Sequence, residues 1–264
     1  MKTIQSFKAA FIQFNVRAGD ISLNLSTVTR YIESLAAQNV KLAILPEMWS
    51  CGFDNMNLSH YARDTPEILR AISRAASQYN MVIGGSLPEA SEGGIFNTVY
   101  VTDSDGSMAG SYRKVHLFSV TDENQYFLPG NRIVTCETSL GKLGLMICYD
   151  LRFPEICRVL ALGDAKVVII SAQWPEIRID RWDILIRARA IENQIYIIGA
   201  NRCGKENQTM FGGHSVIVDP SGDILKMSGN EECTGFAEID FEYLSKVRTM
   251  MPSLKERRPE IYGL

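Results

Sequence analysis

Residues 144–155 read GLMICYDLRFPE and join an apolar run directly to a cluster of charged side chains. The run GLMIC has the composition of a buried strand, the following YDLRFPE is typical of a turn, and EICRVL after it has helical spacing. This order puts the Cys148 thiol at a strand end, facing the start of a helix, where backbone dipoles stabilise a thiolate. A small buried apolar residue is the ordinary alternative for a cysteine in a strand. The rest of the chain has to decide between the two interpretations.

The composition predicts one large globular domain over residues 1–264. Of the 264 residues, 46% are hydrophobic and 22% are charged, which is enough apolar side chain for a sizeable core. The formal net charge is -3 and the isoelectric point is about 5.7, so no general attraction to nucleic acid or anionic lipid is expected. The basic run KERRPE at 255–260 is interpreted as a solvated segment.

The start of the chain and its cysteines predict a soluble, cytoplasmic protein. MKTIQSFKAAFIQFNV has a short apolar stretch without a small-residue cleavage site, and no window approaches eighteen uninterrupted apolar residues. Six cysteines are dispersed without a CxxC pair, so neither a disulfide framework nor a metal site is predicted.

Apolar runs alternate with segments of helical spacing, which predicts an α/β protein with sheets covered by helices. Glycine and aspartate in TDSDGS and VDPSGDIL predict hairpin turns, so the sheets should be mixed. Strands are predicted over 9–16, 42–46, 81–88, 96–103, 144–149, 167–173, 195–202 and 213–220. Helices are predicted over 24–38, 66–80, 155–164 and 181–194.

Two further residues become notable beside Cys148. Glu47 ends the apolar strand LAILP, where partial desolvation would raise its pKa toward the range useful for a general base. Lys114 in YRKVHLF is a cation that can face a developing oxyanion. Each of them, taken alone, would be an ordinary solvated residue. His116 is the histidine that a Cys–His couple would use, although a structural or surface role is the commoner one for a single histidine.

Taken together, Glu47, Lys114 and Cys148 in these contexts resemble the nitrilase, or carbon–nitrogen hydrolase, superfamily. LPEMWSCGF matches the glutamate motif of that family, YRKVHLF its lysine motif and GLMICYDLRFPE its cysteine motif. The downstream segments RARAIENQIYIIGANR and GHSVIVDPSGDIL are also similar to those of family members, so the resemblance covers nearly the whole chain.

The resemblance implies a four-layer α-β-β-α sandwich with two mixed sheets, associated as a homodimer or larger homo-oligomer through its helical layer. It makes Glu47 the general base, Lys114 the cation that stabilises the tetrahedral intermediate and Cys148 the nucleophile. The backbone N–H of Tyr149 would be a second oxyanion donor. Glu123, just before YFLPG, would orient Lys114 or the substrate nitrogen. No metal or organic cofactor is implied.

CYDLRFPE and AQWP most resemble the ω-amidase-like branch, whose substrates are small amides of dicarboxylic acids. Arg152 would then bind a substrate carboxylate with its two parallel N–H groups. An ion pair with Asp150, Glu155 or another nearby acid is the structural alternative for Arg152. Trp174 would form a wall of the acyl pocket, or belong to the apolar core. N-carbamoyl-amine hydrolysis, deaminated-glutathione amidase activity and a non-enzymatic scaffold remain the other hypotheses.

Overall fold

The strands of this protein form two six-stranded sheets and a separate two-stranded hairpin, as described by a computed structural model of residues 4–262. The predicted domain also includes residues 1–3 and 263–264, which lie outside the described residues. In chain order the strands are β1 (Ser6–Gln13), β2 (Val40–Ile44), β3 (Val82–Ser91), β4 (Gly94–Thr102), β5 (Met108–Arg113), β6 (Thr135–Thr138), β7 (Gly141–Ile147), β8 (Val167–Ala172), β9 (Tyr196–Asn201), β10 (Cys203–Glu206), β11 (Thr209–Gly212), β12 (Val216–Val218), β13 (Ile224–Met227) and β14 (Cys233–Asp240).

The helices flank the two sheets and supply the outer layers. They are α1 (Ile21–Ala37), α2 (Leu58–Tyr79), α3 (Glu123–Tyr126), α4 (Pro154–Leu162), α5 (Ile179–Asn193), α6 (Phe241–Met250) and α7 (Pro259–Tyr262). Short 3-10 turns occupy Asn55–Asn57, Ser119–Thr121, Cys148–Arg152 and Glu176–Arg178. None of the helices within residues 4–262 is long and apolar enough to cross a membrane.

Both large sheets are mixed. The first has the order β14-β1-β2-β3-β4-β5, with β1, β2 and β3 parallel and the outer pairs antiparallel. The second has the order β13-β12-β9-β8-β7-β6, with β7, β8 and β9 parallel. The hairpins predicted from TDSDGS and VDPSGDIL join β4 to β5 and β12 to β13.

The two sheets face each other across a shared apolar core, and helices cover their outer faces. Side chains from both sheets, such as Ile44 and Ile169, meet in one buried cluster. A second cluster joins α1 and α2 to the first sheet, and a third joins α4 and α5 to the second sheet. This α-β-β-α arrangement is the four-layer sandwich that the family resemblance implied.

The strands that the sequence analysis missed lie mostly at the sheet margins. β5, β6, β13 and β14 carry many exposed or half-buried residues, so their hydrophobic pattern is weak. The longest of them, β14, is aligned by its antiparallel pairing with β1 over eight residues. Helix α2 begins at Leu58 rather than at the predicted position 66, because the helix continues through Pro66.

Candidate active site

A cavity of about 740 Å³ opens where β2, β7 and β8 reach their carboxyl ends. Strands β7 and β8 are parallel neighbours, so the residues that follow them emerge at the same edge of the second sheet. The facing first sheet contributes the segments after β2 and β5. The seven residues that the family resemblance assigned to the site all line this cavity: Glu47, Lys114, Glu123, Cys148, Tyr149, Arg152 and Trp174.

Glu47 is almost fully buried and each of its carboxylate oxygens accepts hydrogen bonds from fixed donors. Oε1 accepts from Asn97 Nδ2 at 2.9 Å and from Lys114 Nζ at 2.8 Å. Oε2 accepts from the Gln173 backbone N–H at 3.0 Å, and the Gln173 side chain donates to the Glu47 carbonyl at 2.7 Å. Burial raises the pKa of Glu47; Lys114 opposes this rise and the Glu123 charge adds to it.

Lys114 lies between two buried carboxylates. Its Nζ is 2.8 Å from Glu47 Oε1, 2.8 Å from Glu123 Oε1 and 2.9 Å from Glu123 Oε2. Burial alone would lower the pKa of Lys114, but the charges of Glu47 and Glu123 outweigh it and raise that pKa above its usual value. The ammonium is therefore charged throughout the physiological range. Glu123 is itself held by the Phe118 backbone N–H, which donates to Oε2 at 2.6 Å.

Cys148 follows β7 directly and has a left-handed backbone conformation, with φ of +43°. This conformation is uncommon for a residue with a side chain and persists only where the surroundings hold it. Asp150 is fully buried and supports the turn, because its Oδ2 accepts from the Ile147 N–H at 3.0 Å and from the Tyr112 hydroxyl at 2.8 Å. Its Oδ1 accepts from the His116 backbone N–H at 3.1 Å.

The prediction that the start of the following helix stabilises a Cys148 thiolate is wrong. The Cys148 side chain lines the same cavity as Glu47, Lys114 and Gln173, and the charges of Glu47 and Lys114 act on its thiol. Burial and the negative charge of Glu47 raise the pKa of Cys148 well above its usual value, and Lys114 offsets only part of that rise. The resting group is therefore a thiol beside a carboxylate, an arrangement that requires a base to generate the nucleophile.

His116 occupies a structural position beside the turn. Its Nδ1 is 3.0 Å from Asp150 Oδ1, and its ring stacks on Phe153 with centroids 3.6 Å apart. It is absent from the lining of the cavity that contains Cys148. The Cys–His couple considered from the sequence is therefore not formed.

Arg152 points to the cavity rather than to a neighbouring acid. Its guanidinium lies over the Trp174 ring, 4.8 Å from the centroid. Within residues 4–262 it has no carboxylate within 4.0 Å, so the ion pair with Asp150 or Glu155 is not formed. Trp174 combines both roles considered for it, because it lines the cavity and also belongs to the buried cluster beneath α5.

The sequence analysis missed three residues of this site. Asn97 in β4 and Gln173 after β8 hold Glu47, and Arg178 lines the cavity. Gln173 lies in the quoted AQWP stretch, directly before Trp174, and Arg178 follows in the same segment. Asn97 had no such signal, because its partner is fifty positions away in the chain.

Comparison with known proteins gives consistent matches over almost the whole chain. The family model described as carbon-nitrogen hydrolase matches residues 8–249. The 2-oxoglutaramate amidase of Bacillus subtilis (strain 168) is 34% identical over 253 residues, covering 95% of this chain and 97% of that protein. The omega-amidase NIT2 of Homo sapiens is 30% identical over 277 residues, covering 98% of each chain.

A solved structure has the same fold. Nit3 of Saccharomyces cerevisiae, a member of branch 10 of the nitrilase superfamily, matches with a TM-score of 0.90 and 29% identity. The match covers 96% of this chain and 97% of that chain. The resemblance drawn from the three motifs and the predicted four-layer sandwich are both confirmed.

Proposed function

The chain belongs to the carbon–nitrogen hydrolase family and is an amidase, and we propose that it hydrolyses a small carboxylate-bearing ω-amide through a thioester on Cys148. The products would be the corresponding acid and ammonia. The observation that carries this proposal is the convergence of the Cys148 thiol, the Glu47 carboxylate and the buried Lys114 ammonium in one cavity.

In the acylation step, Glu47 takes the proton of the Cys148 thiol, and the sulfur attacks the amide carbonyl carbon. The raised pKa of Glu47 suits this role, because a base works best when its pKa approaches the working pH. The C–N bond of the tetrahedral intermediate then breaks. Glu47 returns the proton to the leaving nitrogen, so that ammonia departs and the acyl group stays on sulfur.

Lys114 and the Tyr149 backbone N–H would stabilise the negative oxygen of the tetrahedral intermediate. The lysine ammonium has three N–H groups. One of them serves Glu47, and one can be shared by the two oxygens of Glu123, which leaves the third for the substrate oxygen. Glu123 thus acts through Lys114 by fixing the direction of its ammonium group.

In the deacylation step, Glu47 takes a proton from water, and the hydroxide oxygen attacks the thioester carbonyl. The C–S bond breaks and the proton returns to sulfur, so that the free acid leaves and the Cys148 thiol is restored. None of these steps calls for a cofactor. Across residues 4–262 no cluster of three histidine, cysteine or acidic residues is arranged to hold a metal ion.

The carboxylate end of the substrate is assigned to the outer part of the cavity. Arg152 supports this assignment, because its guanidinium lines the cavity above Trp174 and has no acidic partner in the described part of the chain. The activities for which the bacterial and human relatives are named also support an ω-amide substrate, since 2-oxoglutaramate carries a carboxylate at the end opposite its amide.

We also propose a cytoplasmic homodimer that is joined through α4 and α5, the helices that cover the second sheet. Exposed apolar side chains lie on α4 at Val159 and Leu162 and on α5 at Ile184 and Ile191. All six cysteines carry free thiols, which is consistent with a reducing compartment.

The proposed activity is tested by measuring ammonia release from succinamate, 2-oxoglutaramate and an N-carbamoyl amine. We expect turnover of the two carboxylate-bearing amides and its loss in Cys148→Ala. Cys233→Ala is the matched control, because Cys233 is also half-buried but lies in β14, away from the cavity. Activity on the carbamoyl amine alone would replace the proposal with carbamoyl-amine hydrolysis, and full activity in Cys148→Ala would exclude the thioester.

A further inference from the structure

We infer that Arg178 is a specificity-determining residue, which forms with Arg152 a two-arginine site for the carboxylate of the substrate. The inference deepens the proposed function and rests on it. Arg178 ends the short turn Glu176–Arg178, and Arg152 ends the turn that begins at Cys148. Both line the cavity that contains the Cys148 thiol.

Each of the two guanidinium groups is held against an aromatic ring. Arg152 lies 4.8 Å from the centroid of Trp174, and Arg178 lies 5.6 Å from the centroid of Phe118. A cation–π contact of this kind holds a guanidinium near the ring while leaving its N–H groups available. Trp174 also connects the two arginines, because its indole N–H donates to the Arg178 carbonyl at 2.8 Å.

Neither guanidinium is neutralised by a carboxylate within 4.0 Å in the described residues. Glu176 lines the same cavity but is exposed and pairs with neither arginine. The other acid at this end, Glu206, is already paired with Arg202 at 2.6 Å. Two half-buried cations without acidic partners therefore face one cavity, and their N–H groups match the two oxygens of a carboxylate.

The charges of the cavity differ between its inner and outer parts. The inner part contains two carboxylates, Glu47 and Glu123, around the single ammonium of Lys114. This inner cluster repels a substrate carboxylate, whereas the arginine pair attracts it. The charges thus favour one orientation, with the neutral amide toward Cys148 and the carboxylate toward Arg152 and Arg178.

The side chain of Arg178 has no structural hydrogen bond in the part of the chain that the structure describes. Its backbone carbonyl accepts from Trp174, and this contact is independent of the side chain. Arg178→Met should therefore keep the fold and the alkyl packing on Phe118 while removing the charge. Arg181→Met is the matched control, because Arg181 is exposed on the same segment and pairs with Asp180 outside the cavity.

The experiment measures the affinity of the Cys148→Ala chain for succinamate and butyramide by calorimetry, which needs no turnover. The two amides differ only in the distal group, which is a carboxylate in succinamate and a methyl group in butyramide. The Cys148→Ala chain, alone or with Arg181→Met, should bind succinamate more tightly than butyramide, and Arg178→Met in the same background should lose roughly 10- to 100-fold of that preference, as expected for a charge-assisted hydrogen-bond pair. Arg178→Lys should recover part of the loss, because it restores the charge without the planar fork.

Turnover is measured on the arginine variants with Cys148 intact, using succinamate and butyramide. We expect Arg178→Met to raise KM for succinamate by a larger factor than KM for butyramide, whereas Arg181→Met should change neither. An unchanged preference for succinamate in Arg178→Met, or equal binding of the two amides by the Cys148→Ala chain, would overturn the role of Arg178. Absence of ammonia release with the binding preference for succinamate intact would instead overturn the proposed function while supporting the two-arginine site.

Discussion

The Lys114 ammonium and the Glu123 carboxylate form a buried pair in which Nζ lies 2.8 Å and 2.9 Å from the two carboxylate oxygens. Glu123 therefore fixes the direction of Lys114 from the side opposite Glu47. Glu123 is the first residue of α3, and its carboxylate is anchored by the Phe118 backbone N–H.

Replacing Glu123 by Gln should reduce kcat by roughly 100-fold or more, the effect typical of a lost positioned electrostatic group. KM should change little, because Glu123 acts on Lys114 and not on the bound carboxylate. Steady-state kinetics with succinamate measure both constants. Glu176→Gln is the control, since Glu176 also lines the cavity but is exposed. A purely KM effect would be inconsistent with positioning of the ammonium.

The same Glu123→Gln variant should change the pH dependence of kcat/KM. Glu47 must be ionised to act as a base, so activity should fall as the pH falls through its pKa, which lies above the usual value. Removing the Glu123 charge removes one cause of that rise and lowers the pKa of Glu47. The acid limb of the profile should therefore move to lower pH in Glu123→Gln and stay in place in Glu176→Gln. A shift to higher pH would contradict this electrostatic account.

Glu47→Gln should abolish ammonia release and yet make the Cys148 thiol easier to ionise. The charge of Glu47 is one of the causes that raise the pKa of Cys148, so its removal lowers that pKa. Alkylation of Cys148 by iodoacetamide, followed by mass mapping at several pH values, should begin at lower pH in the variant. Cys233 in the same samples is the internal reference, and an unmoved Cys148 profile would contradict the prediction.

Tyr112→Phe should destabilise the fold by about 1.5–3 kcal/mol, the usual contribution of a hydrogen bond to a charged group. The Tyr112 hydroxyl donates to Asp150 at 2.8 Å, and Asp150 holds the turn that carries Cys148. The free energy of unfolding measured in urea and the value of kcat should both decrease. Tyr126→Phe is the control, because its exposed hydroxyl makes no hydrogen bond within residues 4–262. Equal stability of wild type and Tyr112→Phe would argue against this support.

The proposed dimer is tested by two substitutions on the helices that cover the second sheet, Leu162→Asp on α4 and Ile191→Asp on α5. Each change would bury an unpaired charge in an apolar contact, which is strongly unfavourable. Analytical ultracentrifugation should show dimers for wild type and monomers for both variants. Leu23→Asp is the control, because Leu23 is similarly exposed on α1 in the opposite layer. Monomeric wild-type protein would refute the assembly.

Local sequence patterns predicted the central strands of both sheets, although β2 and β7 each end two residues earlier than predicted. The apolar runs before Glu47 and Cys148 became β2 and β7, because burial on both faces demands continuous apolar side chains. Glu47 and Cys148 come after such strands, whereas Lys114 follows β5, which the pattern did not predict, so the grouping of the three residues rested on the family resemblance. Strand β14 could not be identified in the same way, since its residues gain their order from pairing with β1.

Only the tertiary structure decided which donors and charges surround those residues. Asn97 reaches Glu47, Tyr112 reaches Asp150, and Arg178 lines the same cavity as Arg152, because strand register and sheet packing bring together residues distant in the chain. The same packing places the half-buried Cys148 residue beside Glu47 and raises the pKa of its thiol, the reverse of what the strand-to-helix pattern suggested. A periodic pattern reports which face of an element is buried, whereas the ionisation of a site depends on the distances between charges and on the water excluded around them.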